Sequence, residues 1–185
     1  MGIPAFDSNQ VIPPHLGNPA ADRSQLSPYP CTVTEFSQHF ATSPERRTIL
    51  RGLLDLRTRL FAAGVIWGFQ WLGGSFCEDI ERSESRPPKD LDVVTVMFPP
   101  PGTDLGAIVA ADASLTDRNG VKLRHGIDHI YLNAAHNPIT TVEMTRYWYG
   151  LFSHRRNNVW KGLLRVELNT AADDAAADVY LRSLP

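Results

Sequence analysis

Between Gly73 and Val96 the chain reads GGSFCEDIERSESRPPKDLDVVTV, and no other stretch limits the accessible folds as strongly. A Gly-Gly-Ser turn is followed, after a short spacer, by an apolar run that opens with aspartates at alternate positions. Successive side chains of a strand face opposite ways, so Asp90 and Asp92 share one face while Leu91, Val93 and Thr95 share the other. Two carboxylates held this close repel each other unless a cation neutralises them, and oxygen ligands of this kind suit Mg²⁺ or Mn²⁺. The glycines supply the complementary half. Backbone without side chains approaches a phosphate closely, and amides at a helix start, with the Ser75 hydroxyl, hydrogen-bond phosphate oxygens. The residue types together point to metal-bound phosphate chemistry.

The surrounding chain offers elements to hold such a site. Residues 126–133, GIDHIYLN, read as a further strand whose alternation puts Asp128 on one face with Ile130 and Leu132. Taken alone, Asp128 reads as a strand-end acid paired to Arg124 or His125. From Ser43 the pattern is helical, with Ser43 as cap, Pro44 in the first turn and Ile49, Leu50, Leu53, Leu54, Leu60 and Phe61 forming an apolar stripe that ends at Gly64. The arginines of this segment, Arg46, Arg47, Arg51, Arg57 and Arg59, read most simply as solvated charges. Thr103 to Leu115 is expected to be helical and Asp117 to Gly120 a turn. A helix from about Thr140 to Ser153, a strand from Leu163 to Leu168 and a terminal helix from Ala171 to Leu184 follow, with Glu167 an optional further acid and Asp173 and Asp174 as dipole partners at the last helix start.

The Gly-Ser turn and Asp-x-Asp strand, in this order, resemble those of the DNA polymerase β-like nucleotidyltransferase superfamily. The resemblance implies an α/β (α+β) fold with a small mixed sheet flanked by helices, in which residues 65–72, VIWGFQWL, are the strand leading into the turn and Phe76 to Arg82 the short helix. It also implies metal-dependent transfer of a nucleoside monophosphate from an NTP to a hydroxyl of a protein or RNA acceptor. Asp90, Asp92 and Asp128 would then be catalytic and metal-binding, and Gly73, Gly74, Ser75 and Lys161 nucleotide-binding, with Mg²⁺ or Mn²⁺ as cofactor. Fourteen residues separate Ser75 from Asp90, slightly more than is usual in that superfamily, and Pro87 and Pro88 in the gap imply a longer loop. The short chain is most similar to minimal bacterial members, some of which act as antitoxins that modify a toxin partner or belong to phage-defence operons. The alternatives are a nucleotidyltransferase-fold module that binds a partner protein or nucleotide without turnover, and a purely structural subunit.

Composition narrows the partners. With 185 residues and 43% apolar content the chain can bury a core of one domain, expected over residues 43–185. Residues 1–42 are expected to form a separate arm, because six prolines within the first thirty residues disfavour regular structure there; apolar Ile3, Phe6, Val11, Ile12 and Leu16 suit it to lie over the domain or against a partner. A net charge of −2 gives no basic footprint for a long duplex. Arginines outnumber lysines fifteen to three, a bias toward bidentate phosphate contacts that high-GC codon usage also produces. Cys31 and Cys77 make no disulfide framework, no apolar stretch reaches the roughly 18 residues of a membrane span, and a cytoplasmic location is expected. Residues 147–162, YWYGLFSHRRNNVWKG, interleave aromatics with cations: Trp148, Leu151 and Phe152 are expected in the core, while His154, Arg155, Arg156 and Lys161 either complement the helix end or reach nucleotide phosphates. His125 and His129 are too far apart on a strand for easy shared ligation, and no zinc motif, G-x-S-x-G or P-loop occurs. Self-association is left open.

Overall fold

Strand alternation divides the apolar residues of the sheet between two faces, and the helices follow that division. In the computed structural model, which describes residues 2–185, the strands are β1 (Tyr29–Pro30), β2 (Gly68–Gly73), β3 (Leu91–Met97), β4 (Ile127–Asn133) and β5 (Leu164–Glu167). They form one mixed sheet in the order β1-β5-β2-β3-β4. β2 runs antiparallel to both β3 and β5, while β4 is parallel to β3 and β1 parallel to β5.

Seven α-helices accompany the sheet: α1 (Val33–Phe40), α2 (Pro44–Ala62), α3 (Ile80–Glu84), α4 (Leu105–Ala111), α5 (Arg118–His125), α6 (Pro138–Phe152) and α7 (Ala171–Ser183). On the core face, Leu72, Leu91, Val93, Leu164 and Val166 pack with Phe36 and Phe40 of α1, Leu50, Leu53 and Leu60 of α2, and Ala177 and Leu181 of α7. Fully burying one such aliphatic or aromatic side chain contributes about 1.5–3 kcal/mol, so this layer supplies most of the drive to fold. On the opposite face a smaller set, Trp71, Val94, Val96, Ile130 and Leu132, lies against Trp148, Tyr149 and Phe152 of α6. α6 covers only part of that face, and the uncovered end of β3 and β4 is where the aspartates emerge.

The expected mixed α/β architecture is present, and several boundaries differ for physical reasons. The strand expected from Val65 starts at Gly68, whose φ of +130° and close approach to Val96 O leave no room for a Cβ. The spacer after the turn is split into a 3-10 turn (Ser75–Cys77) and α3, because the Asp79 side chain accepts from Arg82 N and starts a new helix. α2 begins as expected, with Ser43 Oγ accepting from Arg46 N and Pro44 in the first turn. The turn expected at Asp117–Gly120 is instead the first turn of α5: Asp117 caps it by accepting from Gly120 N, and Gly126 ends it at φ +67°.

The proline-rich segment is built into the same body. Val11 and Ile12 are fully buried, Gly162 N donates to Ile12 O at 2.6 Å, and Tyr29 Oη donates to Pro13 O at 2.9 Å. Within residues 1–42 the chain also forms α1, held by a capping box in which Thr32 Oγ1 accepts from Glu35 N and Glu35 Oε2 accepts from Thr32 N. Asp173 is more than a dipole partner: it accepts from Val33 N and from the Thr34 hydroxyl, fastening α7 to α1. Leu151, expected in the core, is half exposed on the edge of α6.

Candidate functional site

The register of three neighbouring strands creates the site. Gly73 on β2 lies opposite Asp92 on β3, and Asp92 lies opposite Asp128 on β4. Asp128 shares its face with Ile130 and Leu132, as the alternation requires, while His129 between them turns into the core. Asp90 immediately precedes β3, and the bond from Leu91 N to Gly126 O ties the starts of β3 and β4 together. Asp90, Asp92 and Asp128 therefore meet at one end of the sheet. They line a cleft of about 710 Å³ together with Gly74, Ser75, Lys89, Lys122, Arg156 and Lys161.

The glycine turn is fitted to the acids. Gly74 has φ +74°, a conformation L side chains rarely adopt, and a Cβ there would collide with Asp92 Oδ2. Gly73 is packed from the other side, against Leu163 and Phe152. Ser75 opens the 3-10 turn beside the acids and reaches the cleft. Of the predicted nucleotide-binding residues, Gly74, Ser75 and Lys161 line the cleft, whereas Gly73 sets the turn behind it.

Electrostatics distinguish the three carboxylates. Burial, then the neighbouring Asp90 and Asp128 carboxylates, push the Asp92 carboxyl up to about 6, against the pull of Lys161 and Lys122. Burial also works against ionised Asp128, but hydrogen bonds from Arg118 and Lys122 override it and hold that carboxyl below its ordinary range. Lys122 Nζ lies 2.6 Å from Asp90 Oδ2 and 3.1 Å from Asp128 Oδ2, and Arg118 Nε donates to Asp128 Oδ1. The Asp90 bond, opposed by burial and joined by Asp128, holds the Lys122 ammonium above its usual value. Neither Arg124 nor His125 pairs with Asp128: Arg124 donates to Ser114 and His125 faces Asp55.

The back wall is a second ionic group. Glu78, almost fully buried, accepts from Lys161 Nζ at 2.6 Å and from Arg155 Nε at 2.5 Å. Asn9 O and Gln10 O of the N-terminal segment cover Arg155 and Asp79 N, so that segment braces the wall. Lys161 is thus at the site but committed to Glu78. Lys89 and Arg156 have no carboxylate partner among the described residues and remain available to an anion.

Sequence reasoning did not foresee Glu78, Lys89, Arg118 or Lys122. Arg118 and Lys122 stand four apart after a capping Asp117 and before Gly126, a helix signal that Gly120 obscures. Glu167 lies beside Phe69, at the far end of β2 from Gly73, and pairs with Arg165. A depression of about 650 Å³ between α2 and α7 also holds carboxylates, but Asp174 and Asp178 there are already paired with Arg57 and Arg182.

The donors suit a hard divalent cation: two carboxylates paired across β3 and β4 with a third two residues before, one of them pushed up by burial and crowding, under a turn that tolerates no Cβ. As they stand, no three His, Cys, Asp or Glu side chains among the described residues surround one point closely enough to hold a metal. Lys122 and Arg118 take that place, so a cation would have to displace them. Among the described residues no helix is long and apolar enough to cross a membrane.

A model of a family of unknown function, DUF6932, matches residues 4–167, running through the proline-rich segment and the sheet alike. No curated protein and no solved structure matches the chain.

Proposed function

The chain belongs to this family of unknown function, and from the chemistry of its cleft we propose that it is a metal-dependent nucleotidyltransferase, moving a nucleoside monophosphate from an NTP to a hydroxyl of a protein or RNA acceptor. The observation that carries this reading is the side-by-side register of Gly73, Asp92 and Asp128, with Asp90 one step before β3. The order of strand, glycine turn, short helix, Asp-x-Asp strand, helix and third-acid strand supports it as well.

Asp90, Asp92 and Asp128 would hold Mg²⁺ or Mn²⁺, which when bound would offset negative charge on the attacking hydroxyl oxygen and on the pyrophosphate that leaves. The chain's own residues do the rest. Gly74, lacking a Cβ, lets the turn close against the Asp92 carboxylate, and Ser75 offers a hydroxyl to the phosphates. Lys89 and Arg156 draw in the polyphosphate. Glu78, with Lys161 and Arg155, keeps the wall rigid so that these groups need not reorganise. The setting that fits a small enzyme of this kind is the cytoplasm, where NTPs and Mg²⁺ are plentiful, in a toxin–antitoxin or phage-defence role.

A second reading, a module of the same fold that binds a nucleotide or partner without turnover, is favoured by one observation: Lys122 and Arg118 already neutralise Asp90 and Asp128. Incubation with each α-labelled NTP, Mg²⁺ or Mn²⁺ and a lysate of the host separates the two. Transfer of label by the intact protein and not by the Asp90→Ala/Asp92→Ala variant supports the enzyme. Metal-dependent NTP binding without transfer supports the module.

A further inference from the structure

α5 presents two cations to the acid cluster from a single helical face, since Arg118 and Lys122 are four residues apart. Between them they use both oxygens of Asp128 and Oδ2 of Asp90. Asp92, which lies between Gly73 and Asp128 in the register, has no ion-pair partner among the described residues. Lys122 is unlike the buried lysine at the site. Lys161 is buried against Glu78, whereas the Lys122 side chain is 43% exposed and contacts only carboxylates a cation would claim. α5 itself is well anchored, through fully buried Val121, the Asp117 cap and Gly126. The Lys122 side chain can therefore swing into solvent while its helix stays in place. Asp90 and Asp128 are largely buried, so these bonds exceed an ordinary surface ion pair and a cation has to outcompete them.

We propose that Lys122 is an internal counter-ion, whose ammonium holds the cation position between Asp90 and Asp128 in the metal-free protein and is displaced when a divalent cation binds. This inference rests on the reading of the cleft as a metal–nucleotide site. Displacement turns Lys122 outward on the same side of the cleft as Lys89, where its charge faces the incoming polyphosphate. The device keeps Asp90 and Asp128 neutralised before substrate arrives, and it makes weak metal binding in the absence of nucleotide a property of the fold.

Direct Mn²⁺ binding, read from the free-ion spin resonance signal without nucleotide, tests it in the purified wild type and in Lys122→Met, Lys122→Arg and Asp92→Asn. Lys122→Met removes the competitor and is expected to bind Mn²⁺ about tenfold more tightly than wild type. Lys122→Arg should stay near wild type. Thermal unfolding gives a second readout: Lys122→Met should melt lower than wild type in EDTA and gain more from added Mn²⁺. If Lys122→Met binds Mn²⁺ no better than wild type while Asp92→Asn abolishes binding, the metal site stands and the counter-ion role is overturned. If no variant, wild type included, binds Mn²⁺ alone or with ATP, the metal–nucleotide reading itself fails and the counter-ion falls with it.

Discussion

The two faces of one sheet treat charge in opposite ways, and β4 shows the contrast in adjacent residues. Asp128 opens into a cleft, where its partners are long, half-exposed cations. His129, the next residue, turns into the core and joins a chain of buried partners through Nε2, while its Nδ1 meets none. Arg57, almost fully buried, donates to Asp174, to Glu167 O and to Gln70 Oε1; Gln70 Nε2 donates to Thr95 Oγ1, which lies 2.7 Å from His129 Nε2. On the core face every charge has a fixed answer inside the fold. On the cleft face charge is left over, and its present answer can be exchanged. The first arrangement specifies structure, and the second leaves room for a ligand.

The largest expected effect breaks the core side of the contrast. Arg57→Leu leaves Asp174 and Gln70 without their buried donor and should cost about 3–5 kcal/mol, read as a lower urea midpoint. Asp92→Asn on the cleft face should be neutral or stabilising in EDTA, because it relieves a crowded carboxylate. Equal losses from the two variants would erase the distinction between the faces.

Gly74→Ala comes next. It forces a side chain into a positive-φ position and against Asp92 Oδ2, and should cost about 1–2 kcal/mol of stability while abolishing nucleotide binding. An unchanged melting temperature would show that the turn is looser than drawn.

Opposite pH slopes should sharpen the comparison further. Asp92 titrates at about 6 in the fold against an ordinary value of 3.8, so between those values the native state holds the extra proton. Stability from this group is present at low pH and lost as pH rises through about 6. His129 is pushed down to about 3 by burial, from 6.5, so here the unfolded state holds the extra proton, and stability is lost as pH falls from 6.5 toward 3. Each slope is at most about 1.4 kcal/mol per pH unit. In EDTA, Asp92→Asn should remove the falling contribution and His129→Gln the rising one, as followed by urea unfolding at pH 4.5, 5.5 and 6.5. Slopes of the same sign would contradict the two environments.

The smallest effect belongs to Glu167→Gln. Its carboxylate is exposed and meets only Arg165, so stability should change by less than about 0.5 kcal/mol and nucleotide binding not at all. A loss of binding would enlarge the site beyond the three aspartates.

The contrast also explains what the sequence reveals. Strand periodicity exposes Asp90, Asp92 and Asp128 as a set, and Ser43 with Pro44 marks α2, because these signals are local. The partners that complete each face are remote. Arg57 reads as one solvated arginine among several until the fold brings Asp174, 117 residues away, against it. Arg46 is likewise buried, donating to Glu81 and to the carbonyls of Phe76 and Glu78. α5 was hidden by Gly120 and by a composition with few apolar residues, and with it the two cations that answer the acids. α1 was hidden by the prolines before it, although Thr32 and Glu35 spell its capping box.

Calorimetric titration of ATP into the protein, with Mn²⁺ and with EDTA, bears most directly on the central claim that leftover charge in the cleft is there for a cation and a polyphosphate. ATP should bind the wild type only with Mn²⁺, and Asp92→Asn should lose that binding while keeping its fold. ATP binding that is indifferent to Mn²⁺, or no binding under either condition, would contradict the account.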